Sequence, residues 1–401
     1  MKCRRLLLIV GVLLLTAGCG RRLPTAPASS SLVPAESQGG SIAAKAPAVV
    51  QGPRVVEGRI GPGALYALFV PENWNGDLIV YAHGYVESPK GIELPAIAYL
   101  RDPLLAQGYA VAYSSFSSNG YALKEGVQQT HQLRGLFVSN FGSPNRTFVV
   151  GQSLGGIIGL KLVEKYPQQY AGALLGCGVV GGTRHEIGYI ANVRVLFDYF
   201  YPGVLPGTLL SIPPGTDFNA LIPRIVGAIL ANPGGAGAMA QILPIPFANP
   251  QELVQAIVSA LGFQILGAGD FLDRAHGHVF FDNSHVVYSG PGLPQALLDD
   301  LNARVARYTA TPDAENFMRH DYEPSGDLRI PVLTVHTTRD PIVPIFNEGL
   351  FHDSVAAAGR LDFLVQRRVD TFGHCAYAVS DLLTGFADLV RWVDTGVKPA
   401  L

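Results

Sequence analysis

Arg146-Thr147-Phe148-Val149-Val150-Gly151-Gln152-Ser153-Leu154-Gly155-Gly156 is the stretch from which the rest of the chain is read. Its first half is a short apolar run, the form taken by a strand buried on both faces. Leu154 to Tyr166 carries the spacing of a helix. Between them, Gly151-x-Ser153-x-Gly155 allows a sharp turn in which the serine takes a strained backbone conformation. Such a turn lifts the hydroxyl above the sheet edge. It also sets the Leu154 amide at a helix start, where an unpaired N–H can face a developing oxyanion. The five-residue pattern is common by chance, but its placement between a buried strand and a helix is the context it requires. Ser153 is therefore the candidate nucleophile.

Outward from this turn the chain alternates strands and helices. Val55 to Val70, broken by Gly58 and Gly61-Pro62-Gly63, predicts early strands in a hairpin. Buried strands are expected at Asp77–Gly84, Gln107–Tyr113, Ala171–Gly176, Ile330–His336 and Asp362–Val369. Helices are expected at Glu125–Ser139 and Phe386–Thr395. This order implies an α/β fold with a mostly parallel sheet covered on both faces. The stretch from Thr183 to Ser325 breaks the rhythm. It is rich in Pro and Gly, and between Tyr199 and Gly269 its only charged side chains are Asp217, Arg224 and Glu252. Proline and glycine interrupt every apolar run there, which argues against a membrane span. The expectation is a cap offering an apolar wall, rather than a second ordinary core. The division expected is core over 52–182, cap over 183–325 and core again over 326–401.

A serine hydroxyl needs a base to take its proton. Of ten histidines, His374 is the candidate, in the loop Thr371-Phe372-Gly373-His374-Cys375 after the last strand. His83 ends an early strand. His336 lies within a strand and reads as a core or packing residue. His276, His278 and His285 cluster in the insertion without a carboxylate or cysteine pattern, so no metal site is expected. The base in turn needs a carboxylate to fix its tautomer. Asp340 follows the Ile330–His336 strand past its carboxyl end, where α/β sites form. Pro341 keeps its backbone out of the helical region. Asp370, closer to His374 in sequence, is the rival.

In the order Ser153, Asp340, His374 the chain resembles the α/β-hydrolase superfamily. The resemblance covers roughly Leu78 to the carboxyl terminus, with Thr183–Ser325 at the usual cap position. It implies serine-hydrolase chemistry with no cofactor, and an oxyanion hole completed after the early strand. His83-Gly84-Tyr85 matches the His-Gly found there, so the amides of Tyr85 and Leu154 are the implied donors. Cys375 follows the histidine, and Cys177 closes the Ala171–Gly176 strand beside the nucleophile strand. A bridge between them would tether the histidine loop to the sheet. Feruloyl-esterase and tannase-like enzymes also carry a cysteine after the catalytic histidine, but its partner precedes the serine, where this chain has Gln152.

The amino terminus is an address. Lys2, Arg4 and Arg5 precede the apolar run Leu6–Leu15, and Thr16-Ala17-Gly18-Cys19 follows. This is the pattern of a secretory signal. Ending at Cys19, it resembles a bacterial lipoprotein signal over residues 1–18, with Thr16 where leucine is usual. That resemblance implies acyl chains on Cys19, a flexible Ser-, Pro- and Gly-rich tether over 19–51, and an exported protein held in the cell envelope by its lipid. The composition, with 48% hydrophobic and 15% charged residues, excludes a disordered chain. A net charge of −2 gives no basic excess for nucleic acid.

The function expected is cleavage of small carboxylic esters with an apolar acyl or aryl group. Two alternatives stand beside it. One is a capped aminopeptidase-like peptidase with the same triad, for which Glu186, Glu315 and Glu323 are candidate anchors for a substrate amine. The other is a non-catalytic ligand-binding lipoprotein.

Overall fold

The computed structural model describes residues 53–400. The expected signal segment, Cys19 and the tether lie outside the described residues. In chain order the elements are β1 (Arg54–Ile60), β2 (Ala64–Val70), β3 (Leu78–Ala82), α1 (Ala98–Ala106), β4 (Ala110–Ser114), α2 (Leu123–Phe141), β5 (Thr147–Gln152), α3 (Leu154–Lys165) and β6 (Gly172–Gly176). Six helices follow: α4 (Thr183–Phe200), α5 (Phe218–Ala231), α6 (Pro233–Ile242), α7 (Pro250–Arg274), α8 (Gln295–Arg304) and α9 (Pro312–Tyr322). The chain closes with β7 (Val332–Arg339), α10 (Phe346–Ala357), β8 (Leu364–Phe372) and α11 (Val379–Thr395).

The eight strands form one sheet in the order β1-β2-β4-β3-β5-β6-β7-β8. The β1–β2 and β2–β4 pairs are antiparallel, and the five remaining pairs are parallel. Alternation of side chains explains why the central strands read as unbroken apolar runs. On β3, Leu78, Val80 and Ala82 join the core under α2 and α3, while Ile79 and Tyr81 join the core under α1 and α11. On β5, Val149 faces the first core, and Phe148 and Val150 face the second. Each side chain so buried contributes about 1.5–3 kcal/mol.

Three helical features differ from the sequence reading. α11 begins at Val379, before Phe386. α1 was not expected; Pro103 stands inside it and masks its period. α10 was not expected either, because the first turn of its inward face is polar: Asn347 and Glu348 are buried there ahead of Phe351 and Val355.

The helices between β6 and β7 pack on one another around Ile190, Val193, Phe197, Ile225, Ile257 and Leu261. α7, started by an Asn249 cap and Pro250, is the one described single helix long and apolar enough to cross a membrane. It lies inside this cluster instead. Its far end is fastened to the loop before α2. Asp270 Oδ2 accepts from the Tyr121 amide at 2.7 Å, and Arg274 donates to the Asn119 carbonyl at 2.7 Å and to Glu125.

Candidate active site

The turn at Ser153 is built from bare backbone. Ser153 has φ 57° and ψ −123°, a conformation that costs on the order of 1–3 kcal/mol and persists only where the surroundings enforce it. They do so by closeness. A Cβ at Gly151 would overlap the Gly155 carbonyl, and one at Gly155 would overlap the Ala82 carbonyl at the end of β3. One at Gly156 would strike Gly178 beyond β6. The two motif glycines and the one after them are thus required by contact.

His374, in the loop after β8, places Nε2 2.8 Å from Ser153 Oγ, and its Nδ1 lies 2.8 Å from Asp340 Oδ2. Asp340 is fully buried after β7. Its Oδ1 accepts from the amides of Ile342 and Val343 at 3.0 and 2.9 Å, which leaves Oδ2 for the histidine. The rival Asp370 is exposed and engaged elsewhere, accepting from the Thr338 hydroxyl at 2.9 Å and pairing with Arg339.

Two further ties hold the histidine loop. The Thr337 hydroxyl donates to the Gly373 carbonyl at 2.8 Å, and the Gly373 amide donates to the Arg339 carbonyl at 3.0 Å. Cys177 and Cys375 form a disulfide with a Cα–Cα separation of 5.3 Å. Both cysteines, like Ser153, have positive φ. The only described group of potential metal ligands within coordinating distance is Cys177, His374 and Cys375, and its two sulfurs are joined to each other. His276, His278 and His285 do not form such a group among the described residues.

Gln152 supports the turn from the opposite face, which the sequence did not disclose. Its Oε1 accepts from the hydroxyls of Tyr81 and Tyr99 at 3.0 and 2.6 Å, and its Nε2 donates to the Tyr377 hydroxyl at 3.0 Å. Tyr377 follows the histidine loop, so this side chain links that loop to the nucleophile turn without a covalent bond.

The expected oxyanion donors border the nucleophile. Leu154 opens α3, where the first amides have no intrahelical partner. The backbone of Gly84 lies against Ser153, close enough that an added Cβ would sit 3.6 Å from Oγ, and the Tyr85 amide follows it. Tyr85 turns its ring toward α7, 5.0 Å from that of Phe263, and its hydroxyl donates to the Leu266 carbonyl at 3.3 Å. His83 props this loop from inside, stacked on Phe116 at 3.8 Å with Nδ1 donating to the Gly84 carbonyl at 2.7 Å. Burial pushes its pKa down to about 4, so the ring is neutral at pH 7. Beyond Phe263, a small apolar cavity is lined by Ile187, Ile190, Gly267, Phe271 and Phe280.

Of the carboxylates weighed as amine anchors, Glu186 is sealed in the interior with Asn347 donating to it at 3.2 Å. Burial first, and the nearby Asp340 second, hold its carboxyl well above the usual range, which favours its uncharged form. Glu323 accepts from the Arg184 amide at 2.9 Å, and Glu315 is exposed. His336, read from sequence as a packing residue, is buried as expected, yet both its ring nitrogens are engaged with polar partners.

A sheet of this order, with a serine turn after the fifth strand, an aspartate after the seventh and a histidine after the eighth, is the α/β-hydrolase fold. No family model matches the sequence, and no curated protein matches it. Among solved structures, an esterase from Aspergillus oryzae is similar at 17% identity and TM-score 0.47, over 84% of this chain and 78% of that one. Feruloyl esterase B from the same organism is similar at 18% identity and TM-score 0.45, over 86% and 81%. The acylaminoacyl peptidase of Pyrococcus horikoshii is similar at 11% identity and TM-score 0.43, over 87% of this chain and 42% of that one. Similarity at this level carries nothing about what the chain does.

Proposed function

We propose that the protein is a serine hydrolase of carboxylic esters with an apolar acyl or aryl group. The observation that supports this best is the continuous array from Ser153 Oγ through His374 to Asp340, with both hydrogen bonds at 2.8 Å. Ser153 Oγ attacks the ester carbonyl while His374 Nε2 takes its proton. Asp340 holds the imidazole in the tautomer with a proton on Nδ1 and stabilises the imidazolium. The carbonyl oxygen, now an anion, is received by the amides of Leu154 and Tyr85, each worth about 3 kcal/mol in the transition state. The tetrahedral adduct collapses, the C–O bond breaks, and His374 returns the proton to the departing alcohol. Water, deprotonated by the same histidine, then releases the acid from the acyl-enzyme.

The helices of residues 183–325 are read as a cap. The scarcity of charge between Tyr199 and Gly269 favours an uncharged, apolar group there. The peptidase reading is weaker, because Glu186 is buried rather than open to a substrate amine. The same proposal places the enzyme in the cell envelope on a lipid at Cys19; labelled fatty acid should be incorporated by the wild type and not by Cys19→Ser.

The test of the activity is a panel of p-nitrophenyl esters of varied chain length, with fluorophosphonate labelling. Ser153→Ala should lose labelling and about 10⁴-fold or more of turnover. Undiminished ester turnover in that variant would refute the reading. Faster cleavage of amino-acid anilides than of any ester would favour the peptidase.

A further inference from the structure

Behind the triad lies a second layer of buried ionisable groups that the reaction above does not use. His336 on β7 is fully buried. Its Nδ1 is 3.1 Å from Glu348 Oε1, and its Nε2 is 2.8 Å from the Val343 carbonyl. A carbonyl has no proton to give. Glu348 is held in place by its other oxygen, since Oε2 takes the Thr334 hydroxyl and the Gln366 amide, each at 2.6 Å. An imidazolium donates to both partners, and the ring lies between two carboxylates, Glu348 on one side and Asp340 on the other. The same Nε2 lies 3.7 Å from Asp340 Oδ2, the oxygen that receives His374.

We propose that His336 is a positioning residue: a buried, doubly protonated ring that acts through Asp340, holding its Oδ2 turned toward His374.

The surroundings agree. Burial alone would push the ring's pKa down; the hydrogen bond and charge of Glu348, then the charge of Asp340, outweigh it and hold it above the ordinary histidine value. From α4, burial holds Glu186 toward its neutral form, and Tyr189, whose hydroxyl donates to the Pro341 carbonyl at 3.4 Å, is likewise kept protonated by burial. From β8, the register neighbour Arg368 points to solvent, and Arg367 is paired with Asp388 of α11. One cation therefore stands between Asp340 and Glu348, where two anions would otherwise face each other unbuffered. Loss of a positive charge at this position is read in the acid limb of the pH profile.

The inference rests on the triad reading but is tested separately from it. The first measurement is the ¹⁵N spectrum of the full, oxidised chain labelled at histidine, with the His336 signal assigned by its loss in His336→Gln. Both ring nitrogens should be protonated at about pH 7, above the ordinary histidine value; a neutral ring there overturns the proposal whatever the activity. The second is kcat and KM against pH for p-nitrophenyl butyrate, normalised to sites titrated with fluorophosphonate. In His336→Gln the acid limb should move up by about half a pH unit or more and kcat should fall about 10-fold with KM little changed. A merely structural role would lower the titrated fraction and leave both the limb and kcat where they were, which overturns the proposal. If His336→Gln does not fold, Glu348→Gln keeps the ring but removes its counter-charge. The ring should then titrate at lower pH and the acid limb should move up with it; an unmoved limb after the ring has lost its charge overturns the proposal. Failure of the triad reading itself would show differently, as turnover surviving in Ser153→Ala.

Discussion

Reduction of the Cys177–Cys375 bridge is the perturbation whose size follows most directly from the structure. The two cysteines are 198 residues apart. Closing a loop of that length removes about 18 cal/mol/K from the unfolded chain, or about 5 kcal/mol at 25 °C on the entropic account. That equals a large part of the whole stability of a typical domain. The bridge also holds the residue next to His374. Without it the loop keeps the Thr337 and Arg339 contacts to Gly373 and the Tyr377–Gln152 contact, so the imidazole is loosened rather than released. A displacement of about 1 Å at such a group costs about 10²-fold. The assay is urea unfolding followed by the fluorescence of Trp74 and Trp392, with and without reductant, alongside ester turnover in the absence of urea. Thiol counting should find two additional thiols after reduction. Stability should fall by up to about 5 kcal/mol, and kcat by about 10- to 100-fold. Reduced protein with its two new thiols counted, yet unchanged in both unfolding midpoint and kcat, would refute the reasoning.

Two further outcomes are expected. Asp340→Asn should retain the fold but lower kcat by about 10³–10⁴-fold, because an amide at Oδ2 offers the histidine the wrong tautomer; Asp370→Asn, at an exposed carboxylate, should leave kcat within about two-fold. His83 makes stability acid-sensitive. Its folded pKa of about 4 lies below the unfolded value of 6.5, so between those pH values the unfolded chain binds more protons. Stability should therefore decline as pH falls through this window, by about 3 kcal/mol at the limit. Thermal melts of wild type and His83→Gln between pH 7 and pH 4 read this as a difference in slope, and parallel slopes would count against it.

The nucleophile turn and its partners were legible because each depends on local chemistry. A buried run, a glycine-flanked serine and a helix define the turn, while an aspartate and a histidine in loops after late strands have few other reasons to be placed as they are. Strand order was not legible: nothing in Ala110–Ser114 says that it enters between β2 and β3. His336 shows a different limit. Its place in an apolar run foretold burial correctly, but periodicity reports only which face a residue takes, not which atoms it meets there. The signal lay in α10, whose buried Glu348 also broke the apolar spacing and hid the helix itself. Gln152 escaped notice for a related reason, since its three tyrosine partners come from segments up to 225 positions distant.

The close backbone contacts at Gly151, Gly155 and Gly156 have a consequence beyond geometry. The height of the serine oxygen is set by main chain resting on main chain, with no rotamer in between to adjust. Sequence drift in the two cores, or wholesale replacement of the helices between β6 and β7, can therefore proceed without disturbing that atom. The fixed part of this turn is small, and the part free to vary is nearly everything around it.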